Sequence, residues 1–463
     1  MAKKKQKTIC FIHYGIGWKD GINTVIKTLA SQIKKQKPLL NICFIGGKIK
    51  EPILEDAFYK IIPEILPGDK LTKKNLQKEA LLIAKKLAKA TKGMEVVVIE
   101  NPFLGTYHLS AMMGFSIYAQ EYKPVGTKVF FRIHDLYTDA PQYSKNLEKF
   151  CSPSKIKAII KGKGVDGFLV VNRALKKELI RAGIPSQKIF YLPNGINASI
   201  FKERLTKKES DLIYKDLKIP SKDKRKAKIL FYPVRVVPRK NIEEAILLTY
   251  FIREVTGDNY ILVVSGKVDK HDPLSRAYHQ SLKKLARKAK FPIIFTKGTF
   301  PLERKYDLKG KIKKFSIGDL YQISQAVIMT SFREGFGYPF LECWFAGKIV
   351  IGHRTQNVIE DFEKSGLKFN WLYRHFFVEG KDLFKIKSEE YLEGAKEVIN
   401  TLKNPELKKQ TLKLNKRIIM NQVRILQDKK QQKQIIKSNL KAAKKTYEIS
   451  KVTKHFLKLV SLK

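Results

Sequence analysis

Long apolar runs, paired cysteines and acidic side chains are all scarce in this chain, and each shortage narrows what it can be. No apolar stretch approaches the roughly 18–20 residues that a membrane-spanning helix needs, which argues against an integral membrane protein. The four cysteines, Cys10, Cys43, Cys151 and Cys343, are dispersed, with no C-x-x-C pair and no histidine at metal-ligand spacing. A structural zinc site is therefore not expected, and a reducing cytoplasm is the natural setting. Neither a G-x-G-x-x-G fingerprint nor a P-loop G-K-[ST] is present. Asp and Glu number only 43 against 92 Lys and Arg, a formal net charge of +49. A field of that size attracts polyanions whatever the fold. No zinc-finger spacing or RNP-type aromatic motif accompanies it, so specific nucleic-acid recognition is not expected. A bias toward Lys on solvated surfaces, with some attraction to anionic membrane, is the favoured account of the charge.

What is present is ample apolar material, 43% of 463 residues, in a repeating alternation of strands and helices. The basic start at Met1–Lys7 runs into the apolar Thr8–His13. It lacks a small-residue cleavage site and reads as a solvated tail before the first core strand. Strands are predicted at Leu40–Ile45, Glu95–Ile99, Thr127–Ile133, Val165–Val171 and Lys188–Leu192. Helical periodicity appears at Asp20–Lys35, Leu71–Lys89 and Arg173–Ala182. A charged connection, Lys202–Lys228, separates this half from a second one. There, strands at Ile229–Val236, Tyr260–Ser265, Pro292–Thr296, Ala326–Ser331 and Lys348–Ile351 alternate with helices at Asn241–Thr256, Pro273–Lys288 and Asp319–Ser324. Such alternation implies parallel sheets. The expected division is 1–201, 202–404 and a tail at 405–463, which holds 17 Lys or Arg against 3 Asp or Glu, a net of +14.

Four local patterns carry chemistry. Glu334-Gly335-Phe336-Gly337-Tyr338-Pro339-Phe340-Leu341-Glu342 follows a predicted strand and sets two carboxylates eight positions apart. Pro339 suits the first turn of a helix, and Gly347 suits its left-handed end. Glu334 is thus expected on a loop beyond a strand end and Glu342 about one turn into the next helix. In open α/β sheets that crevice is where ligands bind. Arg235 at a strand end and Lys240 before a helix can flank a diphosphate, with Asn241 and Glu244 forming a helix cap. His134 stands at the end of the strand Val129–Ile133. Between the first strand and first helix, Gly15, Gly17 and Gly21 would let a phosphate or sugar approach the backbone. Taken singly, each has a bland reading: solvated carboxylates, surface charge, a structural histidine, a tight turn.

Together these residues resemble the retaining GT-B-fold glycosyltransferases of family four, the glycosyl transferases group 1. Glu334–Glu342 matches their E-x7-E element and Arg235–Lys240 their R-x4-K element, and the resemblance runs from about Thr8 to Leu402. It implies an α/β fold of two Rossmann-like domains facing across a cleft, with a basic C-terminal helical tail returning to the first. It implies that Glu334 contacts the donor sugar, that Glu342 holds the ribose hydroxyls, and that Arg235 and Lys240 bind the diphosphate. The backbone of Gly335, Phe336 and Gly337 would lie near sugar and phosphate, and Gly21 would match one glycine of the family's pair. His134 would face donor sugar and acceptor, and no metal or other cofactor would be required. The sequence departs from the family at Phe345, at Ile349, and at His353-Arg354-Thr355-Gln356-Asn357, so the donor sugar is left open.

The expected function is transfer of a hexose from a nucleotide-diphosphate sugar to a hydroxyl acceptor (a saccharide, a small polyol or acid, or a lipid-linked acceptor) in the cytoplasm. A GT-B sugar synthase or phosphorylase is the nearest alternative, and a non-catalytic basic scaffold that binds polyanions is the alternative from another class. The tail's apolar residues Ile449, Val452, Phe456, Leu459 and Val460 fit two arrangements. Either the helix docks on the body, or it lies at an anionic membrane's inner face as a peripheral anchor.

Overall fold

The computed structural model describes residues 6–18, 20–66, 73–103, 108–136, 151–219, 227–268, 273–383 and 393–462. The basic start at 1–5, Lys19 and the first two positions of the helix expected at 71–89 lie outside them. The chain divides into two compact units, residues 1–195 with 447–463, and residues 196–446. The boundary thus falls at 195/196 rather than 201/202, and the stretch read as one tail is shared between the units.

The first unit is built on β1 (Thr8–Ile16), α1 (Gly21–Gln36), β2 (Asn41–Ile49), β3 (Phe58–Ile61), α2 (Lys73–Ala90), β4 (Val96–Glu100) and α3 (Leu109–Ile117). It continues with β5 (Lys128–Ile133), α4 (Pro153–Lys161), β6 (Gly167–Val170), α5 (Arg173–Arg181) and β7 (Ile189–Tyr191). The strands form one parallel sheet in the order β3-β2-β1-β4-β5-β6-β7. Its central strands are buried on both faces, which is why they read as continuous apolar runs. Asp20 opens α1 by accepting the Asn23 N–H at 2.8 Å, and Val25, Ile26, Leu29 and Ile33 form the buried stripe. The α3 helix and the edge strand β3 were not expected. Every residue of α3 from Leu109 to Phe115 is buried, so no polar face marks a helical period. β3 is short and mostly exposed.

The second unit begins with α6 (Lys207–Asp216), β8 (Lys228–Tyr232), α7 (Ile242–Thr256), β9 (Tyr260–Val264), α8 (Pro273–Ala289) and β10 (Ile293–Phe295). A hairpin of β11 (Lys305–Tyr306) and β12 (Ile312–Lys314) precedes α9 (Ile317–Ile323), β13 (Ala326–Met329), α10 (Pro339–Phe345), β14 (Val350–Gly352) and α11 (Gln356–Lys364). A small pair, β15 (Phe377–Val378) and β16 (Lys381–Asp382), leads to helices α12 (Glu393–Lys403), α13 (Pro405–Gln427) and α14 (Lys429–Tyr447). The main sheet is parallel, in the order β10-β9-β8-β13-β14. In each unit the order reverses direction beside the first strand, between β1 and β4 and between β8 and β13. Those two switch points open crevices at the carboxyl ends of the strands.

The last helix, α15 (Ile449–Leu459), belongs to the first unit. Val452, Phe456, Leu457 and Val460 enter one core cluster with Ile9, Phe11, Ile26, Leu29, Ile42 and Phe44. The Phe456 ring lies 6.3 Å from that of Phe11. Gly195 leaves room for this helix, since a Cβ there would come within 2.4 Å of Ile449. The apolar stripe therefore faces protein, and the interfacial-helix reading has no apolar face left to insert. Among the described residues no helix is long and apolar enough to cross a membrane.

Candidate active site

At the second unit's switch point, the loop after β8 and the loop after β13 bring opposite charges together. Lys240 ends a 3-10 turn, Pro238–Lys240, and its Nζ donates to both carboxylate oxygens of Glu334, at 2.6 and 2.5 Å. Both residues are 6% exposed. Arg239 lies 3.8 Å from the same carboxylate. Burial pushes the Lys240 pKa down to about 8, against the pull of Glu334, and the charges of Arg239 and Arg235 add to the drop. Burial pushes Glu334 upward, but Lys240 and Arg239 outweigh it and hold that carboxyl below its usual range. Arg235 is exposed. Two cations, Lys240 and Arg239, flank one carboxylate, and Arg235 acts on Lys240 in turn, so positive charge is in excess around this pair.

The backbone around this pair is held by buried hydroxyls. Tyr232, the last residue of β8, donates to the Lys240 carbonyl and lies 3.0 Å from Ser331 Oγ. Thr330 Oγ1 donates to the Asn241 carbonyl at 2.8 Å. Asn241 does not form the expected cap. Its backbone is left-handed, with φ 50°, and its amide donates to the Glu244 carboxylate instead. The first N–H of α7, at Ile242, donates to Tyr278 Oη at 2.8 Å.

The E-x7-E segment takes the expected local form. Pro339 opens α10, and Gly347 after it has φ +67°. Glu342 is only partly exposed, and Tyr321 Oη donates to it at 2.7 Å. Burial raises its carboxyl to about 7, a shift the Tyr321 hydroxyl only partly opposes. Gly337 has φ +82°, which suits a residue without Cβ. The Phe336 ring packs on Tyr338 and Phe362, at 5.0 and 5.9 Å between centroids, so its side chain serves the core. Asn357, on α11, was seen in the sequence only as a departure from the family. Its Nδ2 donates to the Glu334 carbonyl and thereby anchors the loop. His353 is buried, and desolvation lowers its pKa to about 4.

In the first unit, His134 follows β5 and is 6% exposed. Its Nε2 lies 2.7 Å from Glu100 Oε2 at the end of β4. Gly15 and Gly17 serve the fold: an added Cβ would come within 2.1 Å of the Trp18 ring or 1.9 Å of the Glu51 carbonyl. At Gly21 an added Cβ would meet nothing within 4 Å, so of the three only Gly21 leaves open space.

Comparison with known proteins fits this picture. Residues 215–369 match the family described as glycosyl transferases group 1, a span holding Arg235, Lys240, Glu334 and Glu342. The mannosylglucosyl-3-phosphoglycerate synthase of Petrotoga mobilis is 29% identical over 234 residues, covering 50% of this chain and 42% of that protein. The chain thus spans less than half the length of that curated relative. HepE from Anabaena, in complex with UDP and glucose, matches with a TM-score of 0.62 at 12% identity over 99% of this chain and 100% of that one. Sucrose-phosphate synthase from Thermosynechococcus elongatus matches with a TM-score of 0.60 at 13% identity, over 99% of both chains. At such identities the likeness is one of fold. The chain is an α/β protein with the architecture of GT-B glycosyltransferases, and its residues 215–369 carry the match to glycosyl transferases group 1.

Proposed function

We propose that the protein is a retaining glycosyltransferase that moves a hexose from a nucleotide-diphosphate sugar to a hydroxyl acceptor. The observation that carries this is the buried Lys240–Glu334 pair at the switch point of the second unit, with Glu342 on the helix that follows. An ammonium has three donors. Glu334 takes two of them, which leaves one N–H of Lys240 for a phosphate oxygen, with Arg235 exposed nearby in sequence for another. As the nucleotide diphosphate departs, negative charge grows on it, and fixed cations stabilise that change more than they stabilise the bound donor. Each charge-assisted hydrogen bond is worth about 1.5–3 kcal/mol. No metal or other cofactor is assigned a role in this scheme.

Glu334 accepts from hydroxyls of the donor sugar, and Glu342 holds the ribose hydroxyls. In the second unit the main chain of Gly335, Phe336 and Gly337 serves sugar and phosphate. In the first unit Gly21 leaves room for a phosphate or sugar, and His134 serves a hydroxyl of sugar or acceptor. HepE was solved with UDP and glucose, which supports a nucleotide-sugar donor here. The Petrotoga relative is a phosphoglycerate-derived glycoside synthase by name, which favours a small acid or polyol as acceptor. Four buried thiols without a disulfide suit a cytoplasmic setting.

Thermal shift with UDP, GDP and ADP tests the donor site. One of them should raise stability by about 2.7 kcal/mol at a hundred times its Kd. No shift with any of the three overturns the reading. NMR of the product then tests retention, and an inverted anomeric configuration refutes it.

A further inference from the structure

The carboxyl edge of the first unit's sheet buries a second charge cluster, of which the proposed transfer uses only His134. Glu100 ends β4 at the switch point, and its side chain is fully buried, at 0% exposure. Oε2 lies 2.7 Å from His134 Nε2, while Oε1 lies 3.5 Å from Arg132 Nη1. Arg132 is 1% exposed and turns its Nη2 to donate to Asn194 Oδ1 at 2.9 Å. A buried carboxylate needs a partner to remain ionised. Arg132 supplies charge at a distance, and the hydrogen bond goes to His134.

The backbone of His134 is held from the same place. Asn101, next to Glu100, has φ 54°, and its Oδ1 accepts the N–H groups of His134 and Asp135 at 3.2 and 3.1 Å. The last residue of β4 and the one after it therefore fix one histidine by ring and by main chain. The remaining ring nitrogen, Nδ1, has no protein partner among the described residues, on a side chain that is 7% exposed.

We propose that Glu100 positions His134, holding the ring by its Nε2–H so that Nδ1 is the atom offered to a hydroxyl-bearing ligand. With the Nε2–H tautomer set, neutral Nδ1 accepts from a sugar or acceptor hydroxyl, and protonated Nδ1 donates to one. That the ligand is a transferred sugar or its acceptor rests on the transferase reading; the tautomer does not. Among the described residues, the other charged or titratable groups near the ring include Arg132 on its own strand, the adjacent Asp135, and His13 from β1, with Asp20 beyond it.

The test uses the full chain labelled with 15N-histidine, without substrate, and long-range 1H–15N NMR, with His134→Gln to identify the signals. The neutral His134 ring should show the Nε2–H tautomer. Glu100→Gln, whose amide can present either its oxygen or its NH2 to the ring, should raise the share of the Nδ1–H form. Glu100→Asp, which keeps the carboxylate one methylene further away, should fall between, and it decides the matter if the Gln variant does not fold. An Nδ1–H tautomer in the unaltered protein, or a tautomer unmoved in both variants, overturns the positioning role. In donor turnover, Glu100→Gln should lower kcat more than it raises the donor KM. An unmoved kcat beside a moved tautomer refutes the ligand contact. Absence of turnover in the unaltered protein sinks the transferase reading and leaves the tautomer result standing.

Discussion

Replacing Lys240 with Met would leave the Glu334 carboxylate buried without its nearest cation. At 2.5–2.6 Å, the gross attraction of the pair is about 6 kcal/mol at an effective dielectric constant of about 20. Against it stands a desolvation penalty of several kcal/mol for each ion. The two nearly cancel, so the pair adds little net stability, yet breaking it exposes one uncompensated penalty of ~3–5 kcal/mol. Arg239, 3.8 Å from the carboxylate, offsets part of that. We expect about 3 kcal/mol for Lys240→Met and a similar loss for Glu334→Leu. The double variant should lose much less than the two together, with a coupling of at least about 2 kcal/mol. Urea unfolding reads this as midpoint shifts at constant m-value. Additivity within about 0.5 kcal/mol would refute the reasoning. The double variant should also lose its thermal response to nucleotide diphosphates, because it lacks the ammonium that meets them.

Three further outcomes follow from the geometry. Arg235→Ala should leave stability within about 0.5 kcal/mol, because Arg235 is exposed, but lower kcat/KM for the donor at least about tenfold; unchanged donor kinetics would remove it from the site. The raised pKa of Glu342, about 7 against 4.5, means that the folded state holds an extra proton between those values. Its contribution is therefore full below about pH 4.5 and lost as pH rises through about 7. Glu342→Gln should gain stability relative to the unaltered protein between pH 5 and 8, by up to about 3 kcal/mol, and equal pH dependence of the two in urea unfolding would count against a buried carboxyl. Phe456→Ala should cost about 3–5 kcal/mol in the first unit's transition, and a loss below about 1 kcal/mol would mean that α15 is not part of that core.

The elements most legible in the sequence were those whose burial follows a period or a run. β9 and β13 are short apolar runs, β1 and β4 are apolar along most of their length, and α1 has a clean stripe, so pattern alone places them. The switch-point loops were legible for a different reason: Gly337, Pro339 and Gly347 each mark a backbone state that few residues accept. Illegible parts lacked such marks. α3 is apolar all round, and β3 is a short exposed edge. Predicted β8 ran to Val236, but Pro233, which has no N–H to give a ladder, stands just after its observed end at Tyr232. At the site, the charge types of Lys240 and Glu334 were readable, whereas their direct contact is a matter of tertiary placement. Asn241 with Glu244 looked like a capping box and is not one, because the left-handed turn at Asn241 sends its amide to a carboxylate instead. Glu100 gave no signal at all: it is one Glu after an apolar strand, and only the pairing of β4 with β5 sets it beside His134.

The return of α15 has a consequence for the nascent chain. Residues 447–463 leave the ribosome only after the whole of 196–446 has been made. At about 5–20 residues per second, that interval lasts roughly 10–50 s. Throughout it the sheet surface bearing Phe11, Ile42 and Phe44 is without the helix that covers it. The second unit, contiguous in sequence, can close before the first is complete, which reverses the usual amino-to-carboxyl order of domain maturation. The half synthesised first is therefore the half that most needs protection from aggregation during translation.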